Sequence, residues 1–169
     1  MSRLTPQLVA RLLDEHADAL ELYAGQWCSS SADVVQDAFV QLVRQEKLPE
    51  RIVPWLYRVV RNRAISLARS EGRRRRHEKV AAQDAEMFRP AGADSHVDAA
   101  DVAAALRDLV DEEREVVVAH IWGGLTFDEI AEIAGVSSST AHRRYAAALL
   151  KLRERLGATW LIQNSPTKK

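Results

Sequence analysis

Ser138, Ser139, His142 and Arg143 crowd into one short polar stretch near the C-terminus. At helical spacing they share an outward side, and their hydroxyl, imidazole and guanidinium groups can reach phosphate oxygens and base edges. A second basic stretch begins at Trp55. There Tyr57, Arg58, Arg61 and Asn62 mix aromatic rings with cations, a combination suited to a nucleic-acid backbone and unstacked bases. A third set is Asp33, Gln36, Asp37 and Gln41, carboxylates and amides on the polar side of an apolar period. These groups make non-covalent recognition chemistry. No nucleophile–base set or carboxylate cluster stands out. The five histidines lack metal-ligand spacing, and Cys28 is the only cysteine, so an internal disulfide and a multi-cysteine zinc site are excluded. No cofactor is expected. Cys28 beside Trp27 reads as buried and inert.

The elements that must hold these groups are helices. With only seven Gly and with abundant Ala, Leu, Glu and Arg in 169 residues, the chain reads as all-α. The clearest element runs from Thr126 to Ala148. Thr126 and Glu129 form a capping box, so a helix is expected from Phe127. Ala131 allows close approach, Gly135 permits a left-handed turn, and Ser137 caps a second helix from Ser138. This is helix-turn-helix grammar.

Upstream, Thr5-Pro6 starts a helix expected to reach Trp27, with Leu8, Val9, Leu12, Leu13, Ala19, Leu20 and Tyr23 on its apolar side. A second is expected over 32–45, burying Val35, Ala38, Phe39, Leu42 and Val43; periodicity alone reads its polar side as solvated. A third opens at Pro54 and runs to Lys79. Its apolar residues do not fit one stripe, so either Trp55 or Tyr57 is expected at the core edge. Two further helices, 99–110 and 111–122, precede the helix-turn-helix, whose second helix continues to Gly157. The domains expected are 5–87 and 98–157, two small helical domains joined by a linker, 88–97, and followed by a tail, 158–169.

A formal net charge of +0 conceals segregation. Residues 58–79 are basic, 84–115 acidic, and 142–169 basic. Local sign matters more than the sum for a polyanionic partner, and the acids of 84–101 are expected to fold over a basic face. No apolar run is long enough to span a bilayer and no signal peptide precedes the first helix. The expectation is therefore a cytoplasmic chain without membrane insertion.

The order of these pieces resembles a bacterial RNA polymerase sigma factor of the extracytoplasmic-function subfamily, the kind with only regions two and four. Residues Ala32 to Phe39 are similar to the region 2.2 segment that contacts the polymerase clamp. Trp55-Leu56-Tyr57-Arg58, Arg61-Asn62 and Ala64-Ile65 resemble the helix that opens and reads the −10 element. Glu113-Arg114-Glu115-Val116, Glu129-Ile130-Ala131, Gly135-Val136-Ser137, Thr140 and Arg144 resemble region four, which reads the −35 element. The resemblance implies a non-enzymatic protein that binds core RNA polymerase and promoter DNA and has an anti-sigma factor as partner. It implies polymerase contacts at Asp33, Gln36, Asp37 and Gln41, and −10 contacts at Trp55, Tyr57, Arg58, Arg61 and Asn62. It implies −35 contacts among Ser138, Ser139, Thr140, His142, Arg143 and Arg144; Arg144 can equally brace the motif. The chain departs from the family at Ser66, where Asp is common, at Val110, where proline is usual, and along the recognition helix. A stand-alone helix-turn-helix repressor and a nucleic-acid-processing enzyme are the rival classes.

Overall fold

The computed structural model describes residues 4–77 and 99–157, the former with backbone only over 74–77. The described residues form α1 (Pro6–Gly25), α2 (Ser31–Val43), α3 (Ile52–His77), α4 (Ala99–Arg107), α5 (Asp111–Ile121), α6 (Phe127–Ala134) and α7 (Ser138–Leu156), and no strand. The chain divides into two compact units, Met1–Met87 and Phe88–Lys169. The expected linker over 88–97, the tail over 158–169 and residues 84–98 of the acidic stretch lie outside the described residues.

In the first unit α1, α2 and α3 pack on one another. Thr5 Oγ1 accepts the Leu8 amide at 3.2 Å and Pro6 occupies the first turn, so α1 begins where its orphan donors are met. It ends at Gly25, short of Trp27, with the Trp27 and Cys28 amides closing back on Ala24 O. The core is built from Leu12, Leu20 and Tyr23 of α1, Val34, Val35, Ala38, Phe39 and Leu42 of α2, and Leu56, Tyr57, Val60 and Ala64 of α3. Each fully buried large side chain contributes roughly 1.5–3 kcal/mol over leaving it in water. Cys28 is also buried, and burial pushes its thiol up from the ordinary range. Two residues expected inside are exposed: Leu13 at 37% and Val43 at 56%. Each sits at the edge of its helix's apolar stripe. With Val9, Phe39 and Val40 they line an open apolar groove of about 410 Å³ between α1 and α2.

In the second unit α7 packs on α4, α5 and α6. Its core holds Val102, Ala105, Leu106 and Leu109, Val117 of α5, and Ala148 and Leu152 of α7. Two ion pairs fasten α7 from outside. Lys151 Nζ lies 2.7 and 2.8 Å from the two carboxylate oxygens of Glu113, and Arg155 Nε is 3.3 Å from Asp108. Arg114 closes the α4–α5 corner. Its guanidinium donates to the carbonyls of Leu106 (2.7 Å), Arg107 (3.1 Å) and Leu109 (2.7 Å), at and just beyond the end of α4, where carbonyls lack intrahelical partners; Leu106 O also accepts the Leu109 amide at 3.3 Å. Val110 stands at the N-cap of α5 with φ −65°, a value a proline ring would also impose.

Candidate nucleic-acid and polymerase interfaces

The helix-turn-helix forms as its local chemistry dictates. Thr126 Oγ1 accepts the Glu129 amide at 3.3 Å, and Glu129 Oε2 accepts the Thr126 amide at 2.9 Å. Such a box satisfies two orphan donors reciprocally. Gly135 takes φ 70° and ψ 37°, and the Val136 amide reaches Ala131 O at 3.0 Å. A Cβ in that left-handed region is disfavoured by roughly 1 kcal/mol. Ser137 then caps α7. Its Oγ accepts the Thr140 amide at 3.1 Å and donates to Thr140 Oγ1 at 2.9 Å. Ser139 Oγ stands 3.1 Å from Ser137 Oγ. Thr140 is thus half-buried and tied to the cap, whereas Ser139, His142 and Arg143 face solvent. Ser138 and Arg144 are half-buried.

His142 is positioned by a ring cluster that the sequence reading did not identify. Its imidazole stands edge-on to Phe127, with centroids 5.0 Å apart at 79°. Phe127 stacks on His120 at 4.4 Å, and the His120 ring meets Tyr145 at 4.8 Å. His120 Nδ1–H donates to Leu125 O at 2.7 Å. The signal available in the sequence was the spacing of His142 and Tyr145, one turn apart on α7. Their partners come from other elements, so spacing alone does not name them.

On α2 the five buried residues leave Asp33, Gln36, Asp37 and Gln41 exposed along the opposite side. Asp33 lies in the first turn, where the helix dipole favours a carboxylate. Asp37 Oδ2 is 3.4 Å from Arg63 Nε of α3. Arg63 is exposed.

On α3 the five expected DNA contacts separate. Arg58 and Asn62 are exposed, and Trp55 and Arg61 are half-buried. Arg61 lies over the Trp27 ring with its guanidinium carbon 5.9 Å from the centroid. Tyr57 corrects the sequence reading. It is completely buried, its ring meets Tyr23 at 4.9 Å and 61°, and its hydroxyl has no hydrogen-bond partner among the described residues. Burial pushes its phenol well above the ordinary range. A side chain in that position packs the core and cannot stack on a base without leaving it. Trp55, two positions away and so about 200° around the helix, is the ring that remains at the surface.

Among the described residues no group of His, Cys, Asp and Glu has the makings of a metal site, and no helix is long and apolar enough to cross a membrane.

Comparison with known proteins matches residues 8–74 to the family model of sigma-70 region 2 and residues 105–154 to that of sigma-70 region 4. The chain is 27% identical over 129 residues to RNA polymerase sigma factor SigV of Bacillus subtilis, covering 73% of this chain and 74% of that one. It is 29% identical over 159 residues to the ECF RNA polymerase sigma factor SigE of Mycolicibacterium smegmatis, covering 86% of this chain and 60% of the relative. Its fold is similar to that of the sigma factor RpoE of Bartonella quintana, solved with the anti-sigma factor NepR. The TM-score is 0.73 at 23% identity, over 89% of this chain and 96% of that one.

Proposed function

We propose, from the premise that this chain belongs to the sigma-70 family of RNA polymerase sigma factors in its extracytoplasmic-function branch, a division of labour among its helices. As a member of that family it binds core RNA polymerase and directs promoter-specific initiation. The polar side of α2, with Asp33, Gln36, Asp37 and Gln41, engages a basic helical surface of the core enzyme through charge-assisted and polar hydrogen bonds. Trp55, Arg58, Arg61 and Asn62 of α3 take the opened strand of the −10 element. Arg58 and Arg61 supply phosphate contacts, Asn62 offers a donor and an acceptor to a base edge, and Trp55 offers a stacking surface. The N-terminal part of α7 enters the major groove of the −35 element, with Ser138, Ser139, His142 and Arg143 toward the DNA. Thr140 and Arg144 hold the motif's geometry beside them.

The observation that carries this reading is the pairing of the region 2 and region 4 matches with an exposed polar side on α2 and a capped helix-turn-helix. The chain performs no covalent chemistry; the polymerase supplies catalysis. It acts where the polymerase acts, in the cytoplasm, and an anti-sigma factor is among its partners, as for the RpoE chain solved with NepR.

The test is transcription in vitro with purified core polymerase on a promoter library. Discrete start sites that depend on the chain are expected, together with co-elution of chain and core enzyme. Failure of the two proteins to associate at low salt, with no chain-dependent transcripts, sinks the reading.

A further inference from the structure

His142 and Arg143 both face solvent early in α7, yet they are not held alike. Arg143 is a long, rotamer-rich cation. The His142 imidazole stands nearly perpendicular to the Phe127 ring, with 5.0 Å between centroids. Phe127 is the first residue of α6, and the capping box of Thr126 and Glu129 fixes its backbone. Its ring is fixed in turn. It stacks on His120 at 4.4 Å and 20° and meets Tyr145 at 5.3 Å. His120 is itself pinned by the 2.7 Å hydrogen bond from Nδ1 to Leu125 O. Phe127, His120 and Tyr145 are half-buried, and His142 is the exposed end of the set. Side chains of α5, α6 and α7, all in the second unit, thus converge on the orientation of one solvent-facing ring.

We propose that Phe127 is a positioning residue for base recognition. Backed by His120, it holds the His142 imidazole with a ring N–H toward a purine N7 in the major groove, and touches no DNA itself. Turning an imidazole about its last side-chain bond changes which edge points outward. A perpendicular partner ring resists that turn, because the aromatic quadrupole favours edge-on pairs. A ring held in advance also has less freedom to lose on binding. A purine offers N7 as an acceptor in the major groove, whereas cytosine offers a donor and thymine its methyl beside O4. The held imidazole therefore separates purine from pyrimidine at one base pair. An imidazole free to turn can settle on a phosphate instead and carry no sequence information.

The proposal rests on the promoter-binding reading above, and its test separates the two. The intact chain with core polymerase is titrated onto promoter duplexes that carry each single base substitution across the −35 element. His142→Ala is expected to flatten a purine preference at one base pair and leave the other positions as in the parent. Phe127→Leu keeps an apolar side chain but removes the ring. It is expected to flatten the same position and to weaken the best promoter about three- to ten-fold, the size of an edge-on ring pair. In the double variant the losses do not add, and binding matches His142→Ala alone. Phe127→Tyr, which keeps a ring, retains the parent profile. Each readout compares promoters bound by the same variant, so lost stability cannot imitate it. Equal loss on every promoter in Phe127→Leu, or additive losses in the double variant, overturn the positioning role while the sigma reading stands. A Phe127→Tyr chain that behaves like Phe127→Leu does the same, as does a His142→Ala chain with parental preference at every base pair. A parent chain that brings no promoter to the polymerase overturns both.

Discussion

Reversing the charge at Asp37 separates binding from folding. Asp37 and Arg63 pair at 3.4 Å with side chains 54% and 48% exposed. An exposed pair of this kind contributes about 0–1 kcal/mol. Putting a second cation opposite Arg63 adds repulsion of about 1 kcal/mol at the dielectric of water, less when the side chains swing apart. Asp37→Arg therefore costs the fold at most ~2 kcal/mol, within the 5–15 kcal/mol that natural domains typically have. The loss at the polymerase is larger. A hydrogen bond to a charged group is worth about 1.5–3 kcal/mol, and the new arginine repels the basic surface that the carboxylate was to meet. A combined loss of at least ~2 kcal/mol corresponds to about 30-fold weaker binding. The assay is affinity for core polymerase by fluorescence anisotropy, beside far-ultraviolet circular dichroism. Arg63→Gln is the control: it breaks the same ion pair without reversing Asp37, and binding within about five-fold of the parent is expected. An Asp37→Arg chain with native helicity and parental polymerase affinity refutes the assignment of this α2 face.

Arg143→Ala is expected to weaken promoter binding by roughly 1–3 kcal/mol while leaving polymerase affinity unchanged, measured by promoter titration with and without an intact −35 element. Arg114→Ala strips three carbonyls of their shared donor and should destabilise the second unit by roughly 2–3 kcal/mol, read as a lower urea midpoint. Val110→Pro fits a residue already at φ −65° whose amide donates no backbone hydrogen bond among the described residues. Thermal melting should show a gain of roughly 0.4–1 kcal/mol. Tyr57→Phe removes a buried hydroxyl with no partner among the described residues. Stability should hold or rise by up to about 1 kcal/mol, with promoter opening on a permanganate footprint unchanged.

What could be read from the sequence was what local chemistry decides. The capping box at Thr126 and Glu129, the left-handed Gly135 and the Ser137 cap are interactions across three or four residues, and all of them form. The polar side of α2 was legible for the same reason, since its apolar partners repeat once per turn. Tyr57 was not legible. Trp55 and Tyr57 are equally good core residues by type, and the ring of Tyr23 on another helix decides which one turns inward. The pairing of Arg63 with Asp37 was not legible either, because the two lie on different helices. The clasp of Arg114 reaches back eight residues to Leu106, beyond any helical period. Leu13 and Val43 sit at stripe edges, where apolar type alone cannot distinguish core from an open groove.

The indole beneath Arg61 has one more consequence. Arginine side chains carry about 2 kcal/mol of rotamer entropy, and a cation already resting against a ring has less of that freedom to surrender when an anion arrives. Trp27 belongs to the turn after α1 and is not among the proposed −10 contacts, yet it holds the arginine assigned to them. On the proposed reading, Trp27→Ala leaves the list of DNA contacts unchanged and raises the entropic cost of Arg61 meeting an opened strand.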